Sequence, residues 1–180
     1  MIKKYNAVLI IGMGLIGSSI SRALVENHIA NRVYGLDSDD KIIKKCEDLN
    51  LLVQGETNLK NFNLQFDLII ICTPLSSYKN IFSSLSNFIS QPTLITDVGS
   101  TKMSTISDFK NAVKNKNMTF VPSHPIAGIE KSGPEYGFSK LFDNRYCILT
   151  PHEKNDAAVS YVVELWRSIG MTVELMEADR

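Results

Sequence analysis

Short apolar runs alternate along the chain with segments in which apolar residues recur at helical spacing. Residues 66–74, FDLIIICTP, form the clearest run, and residues 6–12, NAVLIIG, form a similar one that ends in glycine. Continuous apolar runs of this length are typical of strands that are buried on both faces. Between these two runs, residues 15–28 place apolar side chains three or four positions apart, as an amphipathic helix does. The pattern therefore predicts strands that alternate with helices.

The same alternation continues to the end of the chain and predicts the fold class. Strand–helix–strand repeats at this spacing favour right-handed crossovers, and so a mostly parallel sheet with helices on both faces. We therefore predict a doubly wound α/β fold of the Rossmann type, in which residues 1–180 form one domain and no second domain is present. The further predicted strands are 31–37, 51–56, 92–99, 118–124, 145–151 and 171–176, and the further predicted helices are 38–50, 76–89, 101–115 and 155–170.

The charge balance excludes some classes of partner. The chain has 19 Lys and Arg against 19 Asp and Glu, so its net charge does not attract nucleic acid or an acidic membrane surface. No apolar run approaches the roughly 20 residues that a bilayer span requires, and the N-terminus lacks a signal-peptide cleavage site. We therefore expect a cytoplasmic protein. The three cysteines have no C-x-x-C spacing, so no metal site is predicted.

A glycine motif follows the first predicted strand. Residues 12–17, GMGLIG, fit the pattern G-x-G-x-x-G and lie directly before a predicted helix. In a dinucleotide-binding turn, Gly12 permits the tight turn, Gly14 the approach of a pyrophosphate, and Gly17 the close packing of the helix on the strand. The helix N-terminus, at Leu15 and Ile16, then offers free amides to the phosphates. We therefore predict a dinucleotide cofactor at this turn.

An acidic cluster at the end of the second predicted strand favours NAD over NADP. Asp37 lies 20 residues after the last glycine of the motif, where an acid binds the ribose hydroxyls of the adenosine. Asp39 and Asp40 follow it in the stretch DSDDK. Three carboxylates repel the 2′-phosphate of NADP, and Lys41 alone does not reverse their charge. We therefore predict NAD as the cofactor.

Later strand ends carry candidate residues for the rest of the site. Because the carboxyl ends of parallel strands meet at one edge of a sheet, residues far apart in sequence can meet there. Thr73 and Pro74 either line the nicotinamide side of the site or simply end the fourth strand, and the sequence favours neither role. Ser100 follows the fifth strand, and His124 lies in the stretch 123–133, SHPIAGIEKSG, whose turn-forming residues predict a loop. His is the side chain best suited to accept a proton near neutral pH.

Purely structural roles compete with the chemical ones. From the sequence, His124 fits a structural role, as a hydrogen-bonded loop residue, as well as it fits the role of a catalytic base. His28, at the end of the first helix, and His152, expected on the surface, are assigned no chemistry. Lys102 either binds an anion or begins a helix with its aliphatic stem packed against the protein.

The stretch HPIAGIEKSG, together with DVGSTK and GMGLIG, resembles the prephenate/arogenate dehydrogenases of tyrosine biosynthesis over essentially the whole chain. The resemblance implies an NAD-dependent oxidative decarboxylation of prephenate or arogenate, which yields 4-hydroxyphenylpyruvate or tyrosine. It also implies that His124 accepts the proton of the substrate hydroxyl and that Ser100 orients substrate and histidine. It further implies that Glu130 closes and polarises the site.

Two features depart from the family pattern. Ile129 stands where members usually have a small polar residue such as Thr. Members also carry a C-terminal helical domain that supplies the dimer interface and the groups that bind the substrate carboxylates. We expect that this chain lacks that domain, binds NAD, turns over little substrate alone, and forms a homodimer only with the domain. The alternatives are a non-catalytic NAD-binding module and a β-hydroxyacid-type dehydrogenase with a lysine on a following helix as the catalytic group.

Overall fold

Residues 5–121 alternate between strands and helices in the computed structural model of the protein, which describes residues 2–179. Each long apolar run of the sequence becomes a strand, and each segment of helical spacing becomes a helix. In chain order the elements are β1 (Tyr5–Ile11), α1 (Leu15–Glu26), β2 (Ala30–Leu36), α2 (Asp40–Asp48), β3 (Gln54–Glu56), β4 (Leu68–Ile71), α3 (Tyr78–Phe88), β5 (Thr93–Asp97), α4 (Lys102–Ala112) and β6 (Met118–Val121).

These strands form a single parallel sheet in the order β3-β2-β1-β4-β5-β6. The central strand β1 is apolar because both of its faces are covered, and Val8, Leu9 and Ile10 have no exposed surface. One apolar cluster packs α1 and α2 on one face of the sheet, and a second cluster packs α3 and α4 on the other. The prediction of a doubly wound α/β fold is confirmed.

The remaining strands form a second, smaller sheet rather than extending the first. Its strands are β7 (Ser123–Pro125), β8 (Tyr146–Leu149) and β9 (Thr172–Leu175), with α5 (Asp156–Ser168) between the last two. β7 pairs antiparallel with β8, and β8 pairs parallel with β9. Proline has no N–H to donate to a ladder, and Pro122 stands where the chain passes from the edge strand β6 to β7. The loop predicted for 123–133 therefore begins as a short strand that carries His124.

The two sheets share one apolar core. Cys147 and Leu149 of β8 and Trp166 of α5 belong to the same buried cluster as Ile10 of β1 and Ile20 of α1. The second sheet and α5 lie beside β5 and β6 of the first sheet. Among residues 2–179, no helix has the length and apolar character needed to cross a membrane.

Candidate active site

The glycine motif forms a tight turn between β1 and α1. Gly12 has φ +93°, which favours glycine, and a Cβ placed on it would lie 2.9 Å from Thr73 Cγ2. A Cβ on Gly17 would overlap the carbonyl oxygen of Gly12. α1 can therefore begin directly behind the turn only because position 17 has no side chain.

Gly14 differs from the other two glycines because it faces open space. A Cβ built on Gly14 would meet no heavy atom within 4 Å. Gly14 is the residue before α1, no side chain caps this end of the helix, and its first turn contains no acidic residue. The partly buried Leu15 and Ile16 begin the helix. The amides of this first turn, with the positive end of the helix dipole, can therefore receive an anion.

Asp37 connects the glycine turn to the end of β2. Its Oδ2 accepts a hydrogen bond from the Met13 amide at 2.9 Å, and its Oδ1 accepts one from the Asp39 amide at 3.0 Å. Each carboxylate oxygen can accept a second hydrogen bond, so capacity for a pair of hydroxyls remains. The carboxylate thus holds the turn in shape and still presents acceptors beside it.

The segment after β4 connects the glycine turn with the loop after β5. The carbonyl of Cys72 and the methyl of Thr73 contact Gly12, and the Leu75 side chain lies against Gly99. The Ser77 hydroxyl lies 2.7 Å from both Thr73 Oγ1 and the Pro74 carbonyl, which fixes the start of this segment. Thr73 and Pro74 are therefore near the glycine turn.

Ser100 and His124 line the same cavity of about 360 Å³, which Met103, Ile148 and Thr150 also line. Ser100 comes from the connection between β5 and α4, and His124 comes from β7. The Nδ1 atom of His124 lies 3.4 Å from the Val98 carbonyl oxygen. Because a carbonyl only accepts, this contact favours the tautomer with the proton on Nδ1, which leaves Nε2 as the basic nitrogen.

A buried ion pair beneath this cavity could not be recognised from the sequence. Lys102 Nζ donates to Asp97 Oδ1 at 2.8 Å and to Oδ2 at 2.7 Å, with the two side chains 7% and 0% exposed. Burial lowers the pKa of the Lys102 ammonium, and the Asp97 charge opposes that shift. Tyr78 donates to Asp97 Oδ2 at 3.0 Å, and burial together with the Asp97 charge raises the pKa of its hydroxyl. The neighbouring α4 begins with this lysine.

Ser123, the residue before His124, is held by its hydroxyl as well as by its backbone. Trp166 Nε1 donates to Ser123 Oγ at 3.0 Å. Thr96 Oγ1 donates to the Val121 carbonyl at 2.8 Å and lies 2.7 Å from Ser123 Oγ. Since indole and Thr96 have already committed their protons, Ser123 donates to Thr96, and the direction of the chain of hydrogen bonds is fixed.

Two other sequence-predicted positions lie elsewhere. Glu130 is exposed, in the loop that follows β7, and is not among the residues that line the cavity with Ser100 and His124. Ile129 beside it is 44% exposed. Within residues 2–179, no three His, Cys, Asp or Glu side chains are grouped so as to hold a metal ion.

The expectation that His152 lies on the surface is wrong. Its side chain is only 4% exposed and packs against the rings of Phe109 and Phe120. Nε2 lies 3.1 Å from the Phe120 carbonyl, and burial lowers the pKa of the ring. The position directly after Pro151 suggested a surface turn, but the ring packs against Phe109 of α4 and Phe120 of β6.

Comparison with known proteins finds relatives of one family over most of the chain. The cyclohexadienyl dehydrogenase of Zymomonas mobilis is 31% identical over 97% of this chain and 59% of its own length. The prephenate dehydrogenase of Bacillus subtilis is 34% identical over 84% of this chain and 41% of its own length. This chain therefore spans between two fifths and three fifths of these two curated relatives.

A solved structure agrees with the sequence relatives. The prephenate dehydrogenase of A. aeolicus, solved with hydroxyphenyl propionate and NAD+, superimposes with a TM-score of 0.89 at 31% identity. The superposition covers 97% of this chain and 60% of that one. The family model of the prephenate dehydrogenase nucleotide-binding domain matches residues 20–175. This chain therefore belongs to the prephenate dehydrogenase family and corresponds to the nucleotide-binding domain of that family.

Proposed function

We propose that this chain binds NAD along the carboxyl edge of the parallel sheet. The uncapped N-terminus of α1, open at Gly14, fits the pyrophosphate, and the spare acceptors of Asp37 fit the adenosine ribose. Thr73 and Pro74 lie between the glycine turn and the cavity of Ser100 and His124, so the nicotinamide belongs beside them. The NAD+ bound to the A. aeolicus relative supports the same cofactor.

The charge around the adenosine site supports NAD rather than NADP. Asp37 carries its charge at the end of β2, and Asp39 and Asp40 follow within three residues. Asp39 and Asp40 are exposed, so a phosphate on the ribose 2′ oxygen meets three nearby carboxylates. A cavity of about 720 Å³ begins close by, at Ile11 and Leu36. Ile11 and Leu36 are the last residues of β1 and β2, beside the proposed adenosine site, so this cavity suits the adenine half of the cofactor.

The reaction that we infer is the NAD-dependent oxidative decarboxylation of prephenate or arogenate. Bound NAD supplies the hydride acceptor. The hydride leaves the ring carbon that carries the hydroxyl, and the hydroxyl proton passes to Nε2 of His124. Carbon dioxide leaves with its bonding electrons entering the ring, and the resulting phenolate recovers a proton. Ser100, in the same cavity, orients the substrate and the imidazole.

The juxtaposition of Ser100 and His124 in one cavity, joined through residues 73–75 to the glycine turn, carries this proposal. Glu130 retains the role of closing the site only if its loop moves, because the side chain is exposed and outside the cavity. A cytoplasmic location, and a homodimer that forms only through the C-terminal helical domain of the family, complete the proposal. No contact among residues 2–179 favours prephenate over arogenate as the substrate.

Two measurements test the proposal. Isothermal titration of the 180-residue chain with NAD and with NADP tests the cofactor site, and we expect NAD to bind more tightly. Formation of NADH from prephenate or arogenate, measured with the complete gene product, tests the reaction. Absence of NAD binding would refute the cofactor site, and NAD binding without turnover of either substrate would leave a non-catalytic binding module.

His124→Ala separates catalysis from binding. Removing a general base lowers kcat by about 10²- to 10⁴-fold, whereas the dissociation constant for NAD should change little. His28→Asn is the matched control, because His28 is exposed with φ +55° and Asn tolerates that backbone conformation. A His124→Ala enzyme with unchanged kcat would contradict the assignment of the base.

A further inference from the structure

The ammonium of Lys102 is fully used inside the protein. Its three N–H groups have three acceptors, which are the two oxygens of Asp97 and the carbonyl of Ser123 at 2.6 Å. An ammonium has no further donor to offer. Lys102 therefore does not bind an anion in this arrangement, although its stem helps to line the cavity.

The ion pair binds the backbone of Ser123 from both sides. Asp97 Oδ1 accepts the Ser123 amide at 2.9 Å, and Lys102 Nζ donates to the Ser123 carbonyl. Both peptide groups that flank Ser123 are therefore held by charged groups, and the second of them leads directly into His124. Hydrogen bonds to charged partners are stronger than neutral ones and impose their geometry.

The same carboxylate also holds the loop that carries Ser100. Asp97 Oδ2 accepts the amide of Gly99 at 3.0 Å, one residue before Ser100. The carbonyl of that same peptide group belongs to Val98, and it faces His124 Nδ1 at 3.4 Å. One buried pair thus sets the relative position of the histidine strand and the serine loop.

A gain in folding stability does not explain why Asp97 and Lys102 are buried as an ion pair. Removing two charges from water costs free energy for each ion, and apolar replacements of buried pairs are often neutral or stabilising. The pair lies directly between the two loops whose side chains share the cavity, and all three lysine donors serve that junction.

We propose that Asp97 and Lys102 are positioning residues that hold the Val98 carbonyl against His124 Nδ1 and thereby keep Nε2 unprotonated as the base. This inference rests on the role proposed above for His124. It extends that role by naming the groups that select the tautomer. The charged groups of the pair bind one another and the backbone, and they act through the backbone of residues 98, 99 and 123.

Lys102→Met tests the proposal because methionine keeps the stem and removes the ammonium. We expect kcat to fall by about 10- to 100-fold, as misplacement of a catalytic group by about 1 Å can do. The KM for the substrate and the dissociation constant for NAD should change less than about threefold, since methionine keeps the stem that lines the cavity. Tyr78→Phe is the control, because it removes a hydrogen bond to Asp97 Oδ2 and leaves the contacts of the pair with Ser123 in place.

The tautomer can be observed without any turnover. Long-range ¹H–¹⁵N spectra of the chain report which imidazole nitrogen carries the proton, and only three histidines need assignment. We expect His124 to be protonated on Nδ1 in the wild type and in Tyr78→Phe, and to become a mixture of tautomers in Lys102→Met.

The outcomes are distinguishable. A Lys102→Met protein that keeps the wild-type kcat and the wild-type His124 tautomer, while losing only thermal stability, overturns the proposal. If Lys102→Met does not fold, the double variant Asp97→Asn/Lys102→Met leaves no unpaired buried charge and answers the same question. A tautomer change in a protein that oxidises neither substrate supports the positioning role and refutes the proposed reaction instead.

Discussion

At the scale of single residues, two glycines of one motif have opposite surroundings. Gly17 lies against the backbone of Gly12, whereas Gly14 faces space that no protein atom fills. Gly17 is therefore required by the fold of the free chain. Gly14 is required only when a ligand occupies the space that it faces.

A pair of alanine substitutions tests this difference. Gly17→Ala introduces a clash with the Gly12 carbonyl, and we expect a loss of about 1–3 kcal/mol in the free energy of unfolding. Gly14→Ala should change that free energy by less than about 0.5 kcal/mol, because its backbone has φ −79° and its Cβ meets nothing. Its NAD dissociation constant should nevertheless rise at least about tenfold, which is about 1.4 kcal/mol. Denaturant titration and calorimetry measure the two effects, and equal stabilities for the two variants would contradict the assignment.

At the scale of elements, the sequence identified the strands and helices better than their partners. The apolar runs of β8 and β9 predict strands correctly, but a run does not state which strand it pairs with. Pro122 is the local signal that the chain leaves the first sheet, yet proline is also common at strand ends that stay in a sheet. The pair of Asp97 and Lys102 was missed for a similar reason. Its other partner is the backbone of Ser123, which is 21 residues beyond Lys102.

The turn after β2 is connected to the glycine turn through Asp37, whose carboxylate accepts a hydrogen bond from each. In Asp37→Asn, the amide can still accept one backbone hydrogen bond but loses the charge and one acceptor. We expect the NAD dissociation constant to rise about tenfold and the preference for NAD over NADP to narrow. Asp40→Asn, which removes an equal charge three residues away, is the control for a general electrostatic effect. Equal loss of NAD affinity in both variants would contradict a direct contact from Asp37.

At the scale of the whole molecule, the second sheet is fastened to the first by buried polar groups as well as by the apolar core. His152 follows β8 and inserts its ring between Phe109 of α4 and Phe120 of β6. Its Nδ1 has no hydrogen-bond partner within the described part of the chain. The sequence offered no sign of this burial, because the ring's neighbours come from two distant elements.

The buried ring makes stability depend on pH. Burial lowers the pKa of His152 in the folded chain below its ordinary value of 6.5, so below about that pH the unfolded chain binds a proton that the folded chain does not. The free energy of unfolding should therefore fall as the pH drops from 6.5 towards the folded-state pKa. His152→Gln, whose amide can donate to the Phe120 carbonyl, should show a shallower fall over the same range. Urea titrations between pH 7 and pH 5 measure the slopes, and identical slopes would contradict the prediction.

The chain of hydrogen bonds from Trp166 through Ser123 to Thr96 has a practical consequence. Trp166 is the only tryptophan in the sequence, it is fully buried, and its indole is bonded to the residue before His124. Its fluorescence therefore comes from a single place, one hydrogen bond away from the strand that carries the proposed base. A shift in emission on adding a ligand would report movement of that strand, in the native protein and without an introduced label.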